Sequence, residues 1–181
     1  MFNELEKLGT YKKLLANIYL PKQDGSTTEI DLIMISETGI YVIESKNYSG
    51  WIFGSEKDRN WTQTFRNGQK FRFYNPIWQN RGHISAVKNI IGMDDEFLYR
   101  SYIVFSERCT LKKINIDSPT VRVIKREEFM EYMRRDLYEL RKILSIGEIN
   151  DIYQQLQQYS LVDDATKEAH INQMKFKKYG R

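Results

Sequence analysis

Apolar residues recur at different spacings along this chain, and each change of spacing marks a change of expected structure. Phe2, Leu5, Leu8, Tyr11, Leu14 and Leu15 follow intervals of about three and four, which predicts a short amphipathic helix over 2–15, interrupted near Gly9. Residues 16–20 read as extended and end at Pro21, before the turn residues of 22–26. Two stretches, 28–36 and 40–46, are almost continuous in β-branched, aromatic and other apolar side chains, the signature of strands. Only Glu37, Thr38 and Gly39 separate them. So short a link forbids a crossover and predicts an antiparallel hairpin. Apolar side chains on both faces predict that the hairpin is central and covered on both sides.

Beyond it the pattern alternates. Residues 51–54 and 61–65 are expected as shorter strands around a polar loop. Asn75-Pro76 opens a helix, with asparagine as cap and proline at the first helical position, and Ile84, Val87 and Ile91 continue one stripe. Strands are expected at 101–105 and 121–124, then a helix over 127–144. Ser145-Ile146-Gly147-Glu148 has the capping-box pattern of a further helix, and 163–178 reads as a last helix or a basic tail. This order predicts an α/β (α+β) fold, a mixed central sheet flanked by helices. A core domain over 1–125 and a helical C-terminal extension over 126–181 are the expected units.

Composition narrows the function without fixing it. With 41% hydrophobic and 29% charged residues the chain is globular rather than disordered. A net charge of +4 suits a polyanionic partner but is not specific for one. Cys109 is the single cysteine, so neither an intrachain disulfide nor a thiolate metal cluster can form, and a small buried thiol is expected. No apolar run reaches the roughly 20 residues of a membrane span, and no signal-peptide pattern is visible, so a cytoplasmic protein without membrane contact is expected. His170 reads as a surface residue. Lys112-Lys113, Lys125-Arg126, Arg134-Arg135 and Arg141-Lys142 are candidate phosphate contacts, although acids are interleaved with the later pairs.

The hairpin carries the candidate chemistry. Alternation places Glu44 and Lys46 on one face of their strand, with the Ser45 carbonyl at the same edge. An even loop pairs Ser36 with Gly39 and Ile35 with Ile40, and the same count sets Asp31 opposite Glu44. An odd loop would separate the acids unless a bulge restored the parity. Two opposed carboxylates in a covered hairpin call for a raised pKa, a basic neighbour or a bound cation. A hard dication such as Mg²⁺ favours such oxygens, and a lysine two residues on supplies positive charge where a phosphoryl group collects negative charge.

Four ordered motifs give these residues a context: Thr28-Glu29-Ile30-Asp31, the run from Gly39 through Glu44-Ser45-Lys46 to Gly50, Trp61-Thr62-Gln63, and Asn75-Pro76-Ile77-Trp78-Gln79. Together, over about Leu5 to Ser106, they resemble the nuclease-related domain (NERD) family of the PD-(D/E)xK, restriction-endonuclease-like superfamily. The resemblance implies a restriction-endonuclease-like core that binds Mg²⁺ or Mn²⁺ and hydrolyses DNA phosphodiester bonds, with RNA as a further possible substrate. It implies Asp31 and Glu44 as metal ligands, joined by Ser45, and Lys46 as catalytic lysine. It also implies Gln79 and, one turn later, His83 near the active site, with Trp61 and Gln63 on the nucleic-acid side; Trp51 and Trp78 are further candidates for base stacking. The family usually has a Gly-Glu pair in its first helix whose acid completes the site. The match places that acid ahead of Met1, which leaves Glu4 and Glu6 as candidates to replace it. A nucleic-acid-binding module that no longer cuts, and a protein-interaction scaffold, stay open as alternatives; the sequence does not set the oligomeric state.

Overall fold

A computed structural model describes residues 1–160. In chain order the elements are α1 (Phe2–Glu6), β1 (Lys12–Pro21), β2 (Thr27–Ser36), β3 (Gly39–Lys46), β4 (Gly50–Ser55), β5 (Asn60–Thr64) and β6 (Lys70–Tyr74). There follow α2 (Pro76–Ile91), β7 (Tyr99–Phe105), β8 (Cys109–Asn115), β9 (Val121–Lys125), α3 (Phe129–Glu139) and α4 (Ile146–Gln157).

The strands form two mixed sheets, ordered β1-β2-β3-β7-β9 and β6-β5-β4-β8. The pair β3/β7 is parallel, and so is β4/β8. Each strand of the first pair runs on into one of the second. Lys46 pairs with Phe105 and Gly50 with Cys109, so the register survives the bend. Ser106 secures it, donating from its N–H to the Lys46 carbonyl at 2.9 Å and from its hydroxyl to the Tyr48 carbonyl at 2.6 Å.

The β2–β3 hairpin closes on Glu37-Thr38 and pairs Ser36 with Gly39 through to Leu32 with Ile43. Gly39 has φ +132°, and a Cβ there would lie 2.6 Å from the Leu98 carbonyl oxygen, so glycine is required. One face of this sheet carries Ile33, Ile35, Ile40 and Val42 against α2 and α4; the other carries Met34, Tyr41 and Ile43 against α1 and α3. At Asn17, opposite Asp31 in the register, φ turns to +51° and the β1–β2 pairing is interrupted. The inward faces then switch: Leu15 before the irregularity, and Ile18 and Leu20 after it, all enter the α2/α4 core.

Several expectations need correction. The first helix ends at Glu6, and Leu14 and Leu15 belong to β1, facing Met34 and Ile33. Burying Leu15 contributes about 1.5–3 kcal/mol, more than the few tenths that separate leucine's neighbours in helix propensity. Strands β6 and β8 were not expected. Helix α3 stops at Glu139, because the Ile143 and Leu144 N–H groups donate to the Glu37 carbonyl at the hairpin turn, at 2.7 and 3.0 Å. The α4 capping box is present, with Ser145 and Glu148 bonded reciprocally. Residues 163–178 and His170 lie outside the described residues. No helix among the described residues is long and apolar enough to cross a membrane.

Trp61 is the largest fully buried side chain of the second sheet, stacked 6.1 Å from Phe105 with 5° between planes. It therefore packs the core and offers no face to a base. A Cβ on Gly54 would approach its ring to 2.2 Å. Gly54→Ala is expected to cost about 1–3 kcal/mol, read as a lower urea midpoint at unchanged slope. An unchanged midpoint would mean the indole is free to move aside.

Candidate active site

Asp31, Glu44 and Lys46 lie where β3 reaches the bend, beneath the first two turns of α2. Helix α2 is held there by its cap. Asn75, fully buried, accepts the Ile77 N–H at 2.9 Å and donates to the carbonyls of Ser55, Glu56 and Asp58. One turn on, Asn80 donates to the Val42 carbonyl and the Ser101 hydroxyl, both at 2.8 Å, fixing the helix over β3 and β7. The next side chains outward, Gln79 and His83, then reach Glu44.

Glu44 is the centre of the site and only 4% exposed. Its Oε1 accepts from Lys46 Nζ at 2.6 Å and from Gln79 Nε2 at 2.8 Å, while Lys46 also donates to Gln79 Oε1 at 2.8 Å. Its Oε2 lies 3.1 Å from His83 Nε2, and His83 Nδ1 lies 2.9 Å from the Thr28 hydroxyl. A carboxylate only accepts, so Nε2 carries the hydrogen. The β2–β3 pairing stops at Leu32 with Ile43, one step short of the expected Asp31–Glu44 pair, and Asp31 instead accepts the Ser45 N–H on Oδ2 at 2.7 Å.

The two acids are pushed in opposite directions. Burial raises the Asp31 pKa, the Glu44 charge raises it further, and the Ser45 N–H and Lys46 offset only part of this. Burial acts on Glu44 in the same sense, but the His83 hydrogen bond and the Lys46 ammonium together outweigh it, leaving its pKa below the ordinary value. The result is one held carboxylate, one carboxylate in need of positive charge, and an ammonium beside them. Among the described residues no group of three or more His, Cys, Asp or Glu side chains is arranged to hold a metal ion.

The remaining candidates fall elsewhere. Gln63 is buried and donates to the Ser49 carbonyl at 2.8 Å, and Trp78 donates to the Glu56 carbonyl at 2.8 Å. Glu4 turns to Arg126 and to the N-terminal amine on the α3 side, away from Glu44, and Glu6 is exposed. Cys109 is buried, as expected. Thr28, which bonds His83, and Asn80 were not among the expected site residues; Thr28 opens the first of the four motifs, and Asn80 stands between the polar Gln79 and Arg81, where nothing marks it as buried.

Two mixed sheets flanked by helices, with an acid–acid–lysine cluster at the end of a central hairpin, are consistent with the restriction-endonuclease-like class. The model of the nuclease-related domain family matches residues 1–106, and the chain belongs to that family. It is also 33% identical over 173 residues to an uncharacterized protein of Bacillus anthracis, across 94% of this chain and 77% of that one. No solved structure gives a significant match.

Proposed function

We propose that the chain is a nuclease that hydrolyses DNA phosphodiester bonds with a divalent metal, Mg²⁺ or Mn²⁺. Asp31, Glu44 and the Ser45 carbonyl are the proposed metal ligands and Lys46 the catalytic lysine. The observation that carries this reading is that Asp31, halfway along β2 and just past its last pairing with β3, lies beside Glu44 and Lys46 at the end of β3. The donors present are hard oxygens of the kind such cations take, and Asp31 sits where a second positive charge would relieve its repulsion from Glu44. When bound, the cation lowers the pKa of a coordinated water and neutralises charge on the phosphoryl oxygens.

The chain's own residues do the rest. His83, steadied by Thr28, holds Glu44 in one orientation. Gln79 bridges Glu44 and Lys46, so the ammonium is aimed rather than free. That fixed cation faces the place where negative charge grows as the phosphorus–oxygen bond breaks, and such prearranged charge is the larger part of many enzymes' catalysis.

The test is cleavage of linear, circular and single-stranded DNA with Mg²⁺ or Mn²⁺, followed on gels. Metal-dependent cleavage is expected, lost in EDTA and in Asp31→Asn. Binding without cleavage in either metal, or an Asp31→Asn variant that cuts at the wild-type rate, overturns the proposal.

A further inference from the structure

The outer face of the second sheet has no part in the chemistry above. None of its four strands contains an aspartate or glutamate, yet they carry Lys70, Arg72, Lys112 and Lys113. None of these four cations forms an ion pair among the described residues, whereas Lys57, Arg81 and Lys125 are each paired. Ile52 packs inward, so alternation turns Trp51 and Phe53 outward. Across the sheet Trp51 faces Thr64 and then Lys70, while Phe53 faces Thr62 and then Arg72.

Strand β8 adds a bulge. Leu111 and Ile114 both pack on the inner cluster, which simple alternation forbids for residues three apart. The register shift opposite Ile52 and Phe53 accommodates Lys112 as an extra residue. Both lysines therefore emerge on the outer face, with the Lys112 ammonium 5.6 Å from the centroid of the Trp51 ring. The indole is 37% exposed. Beside Phe53 and Lys113 lies a hollow of about 300 Å³, with Asp58 the one acid in its lining.

We propose that this face is a docking surface for single-stranded nucleic acid, separate from the site at Glu44. Unpaired cations match a phosphate backbone, and their counterions are released on binding. An exposed indole with a cation above it is a platform on which an unpaired base stacks. Duplex DNA has the phosphates but its bases are already stacked, so it would use the lysines and leave Trp51 idle.

Binding in EDTA tests this independently of cleavage, and so of the nuclease reading. Anisotropy of a labelled oligothymidylate, and of a duplex of equal length, is titrated with the full chain. Preference for the single strand is expected. Trp51→Ala should weaken oligothymidylate binding by about 5–150-fold. Lys112→Gln with Lys113→Gln should lower the slope of log K against log salt by about 1.4. These positions are on the surface, so circular dichroism should stay unchanged, and Arg72→Gln gives a second variant on the same face. Unchanged affinity in Trp51→Ala, equal binding of duplex, or affinity lost in Lys46→Ala instead would each overturn the proposal. So would variants that lose binding to vesicles of anionic lipid while keeping the oligonucleotide.

Discussion

Lys46→Ala is expected to slow DNA cleavage by about 10²–10³-fold under single-turnover conditions, the usual effect of removing one charge-stabilising donor from an active site. The lysine side chain is 17% exposed and Glu44 5%, so the ammonium stands between a buried acid and the open side of the site. Gln79 and His83 remain bonded to Glu44 in the variant, so the fold and metal-free DNA binding should survive. Lys46→Arg is not expected to restore the rate, because a planar guanidinium cannot replace a compact ammonium held between two oxygens. A variant that cuts at the wild-type rate would take Lys46 out of the chemistry and leave its bond to Glu44 as structural.

The largest loss of stability is expected at a different acid. Glu56 is buried at the end of β4 and accepts the Asp117 and Ser118 N–H groups at 2.8 and 2.9 Å, as well as the Ser118 hydroxyl and the Arg81 guanidinium. Arg81 is half exposed, so that ion pair contributes less than about 1 kcal/mol. The hydrogen bonds to a charged acceptor matter more, at about 1.5–3 kcal/mol each before mutual compensation. Glu56→Gln is expected to lose about 3 kcal/mol at neutral pH, a fall of about 6–12 °C in the melting temperature. Burial alone would raise the Glu56 pKa, but the bonds from Ser118 and Asp117 and the Arg81 charge bring it below the ordinary value. A depressed folded pKa gives stability that is full above the unfolded value, about 4.3, and is lost as pH falls through the folded one. The gap between wild type and Glu56→Gln should therefore narrow below about pH 4. Melting curves across pH check this, and a gap that persists in acid would assign the loss to packing.

What the sequence revealed, and what it hid, follows from where each residue's partners lie. The β2–β3 hairpin was legible because both strands are apolar on both faces and the turn is too short for anything else. Its parity was not: residue numbers gave the consequence of an even or an odd loop, and the structure closes an even one, with Ser36 paired to Gly39. Strands β6 and β8 lie at the edges of the second sheet, half in water; Lys70-Phe71-Arg72-Phe73 does alternate, but over so few residues that it was not read as a strand, and Cys-Thr-Leu-Lys-Lys-Ile-Asn alternates poorly. The bulge at Lys112 breaks what alternation there is. Leu14 and Leu15 misled for another reason: their spacing fits a helix, but their partners, Met34 and Ile33, are about twenty residues away. The same holds for the site. Glu44 and Lys46 could be placed from strand alternation alone, whereas the Thr28–His83–Glu44 chain depends on a helix crossing over a strand.

Helices α3 and α4 begin after the family match has ended at residue 106. Phe129 and Met133 line one side of the main sheet, and Ile149, Ile152 and Leu156 the other. A fragment trimmed to the recognisable motifs would keep α1 and α2 but lose the other helix on each side of the sheet, and with them its terminal strand, β9. Expression boundaries should therefore reach at least Gln157, the last residue of the helix that closes the α2 side of the core.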